Sequence, residues 1–200
     1  AFDAWASIAL GQLSGAGGDG TFGLVTLGAD YLVSPDILVG AFAQLDMMSQ
    51  GDRVGGPFAQ GRGWLAGPYV TARLADNIYL DVLAAAGTSR NSVSPYGTYT
   101  DAFDTTRWLA AATLEGSWAY GAVTLSPRLR FSWAEETASA YVDSLGIAIP
   151  SVTRGGGEIA FGPGVSWGFD AGEGIAAQAG VRLEGLATID SVTGFQHFDG

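Results

Sequence analysis

Hydrophobic and polar residues alternate with a period of two through most of the chain. Between Ala122 and Ala134, Val123, Leu125, Pro127, Leu129, Phe131 and Trp133 fall on one side. Thr124, Ser126, Arg128, Arg130 and Ser132 fall on the other. In a strand these two sets point to opposite faces of the sheet. Eight further segments repeat the pattern: Phe2–Leu10, Phe22–Val33, Ile37–Met48, Arg62–Leu74, Ile78–Thr88, Thr105–Tyr120, Glu158–Phe169 and Gly174–Leu186. Their apolar sides carry runs such as Val25, Leu27, Ala29, Tyr31 and Val33, or Ile37, Val39, Ala41, Ala43, Leu45 and Met47. The opposite sides carry Asp30, Asp46, Arg73, Asp81, Arg107, Glu115, Glu158, Arg182 and Glu184, together with several glycines, Tyr69 and Tyr79. Arg62 and Asp104 break this parity, each at a strand end beside a long connection.

The pattern predicts nine antiparallel strands, each about as long as the 9–11 residues a tilted strand needs to cross a bilayer. Their connections alternate in length. Ser34–Asp36, Ala75–Asn77, Gly121 and Asp170–Glu173 are short, whereas Gly11–Thr21, Ser49–Gly61, Ser89–Asp104 and Glu135–Gly157 are long and rich in Gly, Ser and Asp. Short turns on one side and long loops on the other are the mark of an outer-membrane barrel. The long loop after the first strand makes that strand run outward. Aromatic residues follow the same geometry: Trp64, Trp108 and Trp133 lie on apolar sides near the long loops, and Tyr31, Trp118, Tyr120, Trp167 and Phe169 near the short turns. Two aromatic girdles at the two membrane–water interfaces are what such a barrel requires.

Composition changes this picture in three ways. Only 14% of residues are charged while 48% are hydrophobic, yet no uninterrupted apolar run reaches the ~18 residues of a membrane helix. A barrel turns that apolar excess outward, toward lipid. A net charge of −11 argues against nucleic acid as a partner. All nine basic residues are Arg, and five of them (73, 107, 128, 130, 182) face six acids (30, 46, 81, 115, 158, 184) on the polar side. That balance fits a narrow lumen, because an unpaired charge away from water is costly. A wet outer sheet face is the plainer alternative. Cys is absent, which removes disulfides and thiolate chemistry.

Several short pieces resemble the autotransporter β-domain, the translocator of type V secretion, in their order along the chain. They are Leu27-Gly28-Ala29-Asp30-Tyr31, Val39-Gly40-Ala41-Phe42-Ala43, Gly67-Pro68-Tyr69, Tyr79-Leu80-Asp81, Leu125-Ser126-Pro127 and Tyr141-Val142-Asp143-Ser144-Leu145-Gly146. The resemblance implies an all-β, antiparallel transmembrane barrel of twelve strands in the bacterial outer membrane. Nine strands are read here, so residues 1–200 are expected to form a β-domain incomplete at the C-terminus. The signal peptide and pore-threading helix are expected before Ala1. The resemblance further implies an upstream passenger, outer-membrane lipid and the barrel assembly machinery as partners, and no catalysis.

No constellation in the sequence points to chemistry. His197 is the only histidine, without a G-x-S-x-G elbow, and reads as a surface residue. Several-histidine metal sites are excluded, and the loop acids Asp101, Asp104, Glu135, Glu136 and Asp143 lack calcium-loop spacing. Gly15–Gly20 lacks the Lys and following helix of a phosphate loop. No cofactor is expected. The competing readings are another outer-membrane barrel (small pore, adhesin or barrel-borne hydrolase) and a soluble ligand-binding β-barrel.

Overall fold

The computed structural model describes residues 1–14, 18–51, 56–170 and 176–193. The readings placed on His197, Ile175 and residues 15–17 of the Gly15–Gly20 stretch lie outside them. Among the described residues there is no helix. The strands are β1 (Phe2–Leu13), β2 (Gly20–Ser34), β3 (Ile37–Gly51), β4 (Phe58–Ala75), β5 (Ile78–Ser94), β6 (Asp101–Gly116), β7 (Trp118–Tyr120), β8 (Val123–Leu125), β9 (Arg128–Ala138), β10 (Tyr141–Val142), β11 (Ala148–Ile149), β12 (Val152–Gly162), β13 (Gly164–Asp170), β14 (Ala176–Arg182) and β15 (Gly185–Thr193).

One sheet holds nine of these in the order β1-β2-β3-β4-β5-β6-β9-β12-β15, all antiparallel. A second ladder, β14-β13-β8-β7, continues its lower end. The breaks between the two fall at Ser117, Ser126–Pro127, Pro163 and residues 183–184. Proline has no N–H to give to a ladder. Neighbouring residues carry the pairing across instead. Gly116 N–H donates to the Pro127 carbonyl (2.9 Å), Ser126 and Gly164 exchange bonds (2.7 and 2.9 Å), and Leu183 N–H donates to the Pro163 carbonyl (3.1 Å). Thirteen of the segments therefore build nine long strands, β6–β7, β8–β9, β12–β13 and β14–β15 each forming one, and β10 and β11 form a separate hairpin. The sheet is open, with β1 and β15 at its edges.

Tight two-residue turns at 35–36, 76–77 and 121–122 close the short side. Gly121 adopts φ +63°, the left-handed conformation that a turn there needs and that other residues disfavour. On the long side the strands reach further than alternation predicts. β5 runs on to Ser94 and β6 begins at Asp101, so the Ser89–Asp104 loop shrinks to 95–100. β15 continues to Thr193, where alternation alone ended the strand at Leu186. The stretch expected to be a loop between Glu135 and Gly157 holds the end of β9, the start of β12 and the β10–β11 hairpin. Where both faces of a strand meet water, the two-residue contrast fades while the backbone ladder persists.

Close backbone approach marks β4 and β5. Their register is unchanged across Gly67–Pro68, from Ala66↔Ala86 to Tyr69↔Leu83. A methyl group at Gly67 would run into the Ala84 carbonyl oxygen and, at 2.6 Å, the Ala85 Cα. Gly67→Ala should therefore cost about 1–3 kcal/mol through strand displacement, read as a lower urea midpoint for the folded barrel. Gly156→Ala meets only Asp190 Oδ1, at 3.5 Å, and should stay within about 0.5 kcal/mol. Equal effects at both positions would remove close approach as the explanation.

Candidate functional site on the charged face of the sheet

The register sorts side chains into two faces. Following the partners of Asp30 across the sheet gives Gly40, Tyr69, Leu83, Ala111, Ser132 and Glu158 in one row. Two residues toward the short turns, a parallel row contains Thr71, Asp81, Thr113 and Arg130. The next contains Tyr79, Glu115 and Arg128. Asp46 and Arg107 lie on the same face nearer the long loops. We call this the charged face. The other, apolar face carries Val25, Leu27, Leu45, Val82, Leu129, Phe131, Val165 and Val181, largely exposed.

On the charged face the ions pair with one another. Arg128 Nε donates to Glu115 Oε2 (2.6 Å) and Arg130 Nη2 to Glu158 Oε1 (2.7 Å). Arg182 lies 3.8 Å from Glu115 and donates to the Ser126 carbonyl (3.2 Å) and hydroxyl (3.3 Å). Asp81 accepts from Thr71 Oγ1 (2.5 Å). Arg73 pairs not with a strand acid but with Asp36 of the first short turn (2.6 Å). Glu184, in the break between β14 and β15, is exposed.

The pair of Asp46 and Arg107 reaches furthest. Arg107 Nη1 donates to Asp46 Oδ1 (3.1 Å) and Nη2 to Oδ2, and Glu136 stands 3.9 Å from Nη1. Asp46 is on β3 and Arg107 on β6, with β4 and β5 between them. Three strand spacings, with the two-residue offset of Arg107 from the Asp46 row, span about 16 Å if flat, more than the roughly 13 Å that extended Arg and Asp side chains and the hydrogen bond between them cover. The sheet must therefore be concave toward the charged face. Gly63, between them on β4, makes the path. A Cβ there would lie 2.5 Å from Arg107 Nη2. Arg107 and Asp46 are only 13% and 18% exposed, and Arg107 Nε is buried without a hydrogen-bond partner.

A second reach-over joins β1 to β4. Trp5 Nε1 donates to the Tyr69 hydroxyl (2.8 Å), which donates to Asp30 Oδ2 (2.6 Å). Both rings rest where glycine leaves space, Trp5 over Gly28 and Tyr69 over Gly40. With Phe42 and Leu109 they line a cavity of about 610 Å³. The charged face is thus less polar than its sequence suggests: Phe42, Leu65, Leu83 and Leu109 occupy its middle. Trp5, Asp36 and Glu136 take part in these networks without standing out in the sequence. The glycines opposite Trp5 and Tyr69 were the available signal for two of the aromatics.

Of the aromatic candidates, Trp64, Trp108 and Trp133 share the apolar face at the long-loop end. Trp108 Nε1 donates to Glu135 (3.0 Å), and the Trp133 ring covers Gly157. Trp118, Tyr120, Trp167, Phe169 and Tyr31 share that face at the short-turn end. Beyond the long-loop end, the β10–β11 hairpin docks on the 95–104 segment. Phe103 stacks on Tyr141 (5.3 Å, 13°), and buried Asp101 accepts from Ser144 N–H (2.8 Å) and Oγ (2.7 Å). Burial, then the nearby Asp101 and Asp143 charges, pushes the Tyr99 and Tyr141 hydroxyls up from their usual pKa, which keeps both neutral. Among the described residues no acid or histidine cluster could hold a metal.

Breaking the Asp46–Arg107 pair leaves a mostly buried charge alone. Arg107→Leu should cost about 3–5 kcal/mol, and adding Asp46→Leu should recover most of it. Arg73→Leu, at a half-exposed pair, should cost under about 1 kcal/mol. Urea unfolding of the three variants checks this, and an Arg107→Leu loss no larger than that of Arg73→Leu would contradict it.

Comparison with known proteins follows this geometry. The autotransporter β-domain family model matches residues 1–194. The β-domain of the Bordetella autotransporter BrkA is 16% identical over 96% of this chain and 80% of that one, with a TM-score of 0.76. The translocator domain of the autotransporter NalP from Neisseria meningitidis is 13% identical over 94% of this chain and 75% of that one, with a TM-score of 0.54. No curated protein sequence matches. The two structural likenesses show the fold of an antiparallel transmembrane β-barrel. The chain belongs to the autotransporter β-domain family.

Proposed function

We propose that the charged face lines the lumen through which the chain's passenger is exported, and that the apolar face meets lipid. As an autotransporter β-domain the chain is an outer-membrane translocator and anchor with an attached passenger. The observation that carries the lumen assignment is the Asp46–Arg107 pair, which spans two intervening strands and requires a sheet concave toward the charged face. Concavity matters because the inside of a barrel is the one place where charge escapes lipid. The pairing of Arg128, Arg130 and Arg182 with Glu115 and Glu158 keeps that interior close to neutral, so a hydrated segment can pass without being trapped by one sign of charge.

The same reading makes Trp64, Trp108 and Trp133 one interfacial girdle and Tyr31, Trp118, Tyr120, Trp167 and Phe169 the other. Trp108 and Trp118 stand ten residues apart on β6–β7. At about 3.3 Å per residue and a tilt of about 40° this is about 25 Å of depth, the height of the apolar band of such barrels. Catalysis has no part in this mechanism: the charged side chains of the interior are engaged with one another, and translocation asks only for a closed, lipid-stable wall. A strand edge cannot stay unpaired in lipid, which supports a role for the barrel assembly machinery in shielding edges until the wall closes.

Export is tested with the full-length protein in a Gram-negative host. External protease should remove the passenger from intact cells while the barrel stays in the outer-membrane fraction. An inserted barrel whose passenger remains in the periplasm would refute translocation. The face assignment has its own test. Leu129 and Phe131 alternate with Arg128 and Arg130 on β9. Arg on the lipid side costs about 2–4 kcal/mol near mid-membrane, so Leu129→Arg should block insertion whereas Arg130→Leu should insert normally. Because the chain has no Cys, single cysteines at 129 and 131 should react with a lipid-soluble thiol reagent and those at 128 and 130 should not. The reverse labelling would overturn the assignment.

A further inference from the structure

Two arginines do not belong to the charged face. Arg62 on β4 and Arg90 on β5 are direct cross-strand partners, in the row Leu10↔Gly23↔Met47↔Arg62↔Arg90↔Asp104. That row is on the apolar face, two residues beyond Trp64 toward the long loops. Like charges directly opposite one another destabilise a sheet, and here neither fold nor lumen gains from them. Arg90 Nε donates to Asp104 (3.2 Å), but the two side chains are 77% and 64% exposed, which makes the bridge weak. The Arg62 side chain has no hydrogen-bond or ion-pair partner among the described residues. Arg62, Arg90 and Asp104 together leave one net positive charge, on a chain whose total is −11.

The surroundings are graded. In the row below the arginines lie Ile8, Val25, Leu45 and Trp64, all exposed and apolar. Above them lies a row of amide and hydroxyl side chains that includes Gln12, Gln60 and Ser92. A cavity of about 1140 Å³ is lined by both arginines, by Leu10 and Met47 of their own row, and by Gln12, Gln60 and Ser92 of the row above. We infer that this outward-facing recess is a binding site for a phosphorylated glycolipid of the outer leaflet, with Arg62 and Arg90 holding its phosphate. The inference rests on the lipid-facing assignment proposed above. The order of chemistry matches such a lipid from tail to head: apolar contact for acyl chains, a guanidinium pair at headgroup depth, then hydrogen-bonding groups for sugar hydroxyls. Two guanidinium forks side by side suit a phosphate better than any single-point anion. The aromatic belt marks the depth, because interfacial Trp sits where hydrocarbon meets headgroup. Two residues further along a tilted strand is about 5 Å nearer the water.

Native mass spectrometry of the full-length protein, purified in detergent from outer membranes, tests the site. The probes are bis-phosphorylated lipid A, the same lipid with both phosphates removed, and inorganic phosphate as competitor. The phosphorylated lipid should bind about tenfold more tightly than the dephosphorylated one. Arg62→Gln with Arg90→Gln should abolish that difference, Asp104→Asn should enlarge it, and excess inorganic phosphate should not displace the lipid. Equal binding of the two lipids by the unmodified protein would overturn the inference, whatever the variants do. Displacement by inorganic phosphate would also overturn it, because the ligand would then be a free anion. Heat-modifiable migration of the unmodified protein reports insertion separately. Failure there sinks the membrane reading and this site with it, whereas insertion with equal lipid binding sinks the site alone.

Discussion

Every peptide group of a strand that crosses hydrocarbon must find its hydrogen bond within the protein, since lipid offers none. This demand organises the sheet. It makes each strand antiparallel to the one before and keeps the register continuous over long stretches, as in β1–β2 from Phe2↔Tyr31 to Leu13↔Gly20. It also explains how Pro127 and Pro163 are accommodated. Each removes one donor, and in each case an adjoining residue bonds to the neighbouring strand so that the ladder resumes in step. The lower ladder is assigned separately from the main sheet, yet physically it is the same wall.

With the backbone satisfied, the side chains are free to make two unlike surfaces. The apolar one is simple, because Leu, Val or Phe side chains carry no polar group that needs a partner. The charged one is not, because a curved wall of small radius brings side chains from non-adjacent strands together. Trp5 meets Tyr69 and Asp46 meets Arg107 across two strands each. Such contacts need space under them, which Gly28, Gly40 and Gly63 supply. Small residues and long polar ones are thus parts of one device. The glycine sets the depth at which its neighbour's side chain can lie flat, and the flat side chain then reaches the next pair.

Alternation made the nine strands, their antiparallel order and the two faces legible from the sequence, because unlike surroundings on the two sides impose a contrast at every step. Nothing imposes that contrast above the membrane, so Ser89–Ser94 and residues 187–193 read as loop although they are strand. Parity also identified which charges share a face, but not which of them meet. Arg128 finds Glu115 on the adjacent strand, which register arguments reach. Arg107 finds Asp46 three strands away, which depends on curvature and on Gly63, neither of which has a local signature. Arg73 turns to Asp36 because the β3–β4 register, with Ile37 opposite Ala72, places Asp36 directly opposite it, where the Arg73 N–H also donates to the Asp36 carbonyl (2.7 Å). The hydrophobic middle of the charged face escaped notice for a related reason: Phe42, Leu65, Leu83 and Leu109 sit at polar parity and were outweighed by the charges around them.

The use of Arg rather than Lys on the charged face follows from where those cations stand. In a poorly solvated wall an ammonium can shed its proton and its charge, whereas a guanidinium stays charged. A cation that must hold Asp46 over two intervening strands also benefits from a planar fork, which engages both carboxylate oxygens and still leaves Nη1 within 3.9 Å of Glu136. Arg182 uses the same breadth differently, spreading over the Ser126 carbonyl, its hydroxyl and Glu115. An ammonium radiates its three donors from a single atom and reaches partners spread this widely less well, and each partner left desolvated costs about 1–3 kcal/mol. The fork therefore does more than neutralise: it ties strands that are not neighbours, and so helps to hold the curvature on which the interior depends.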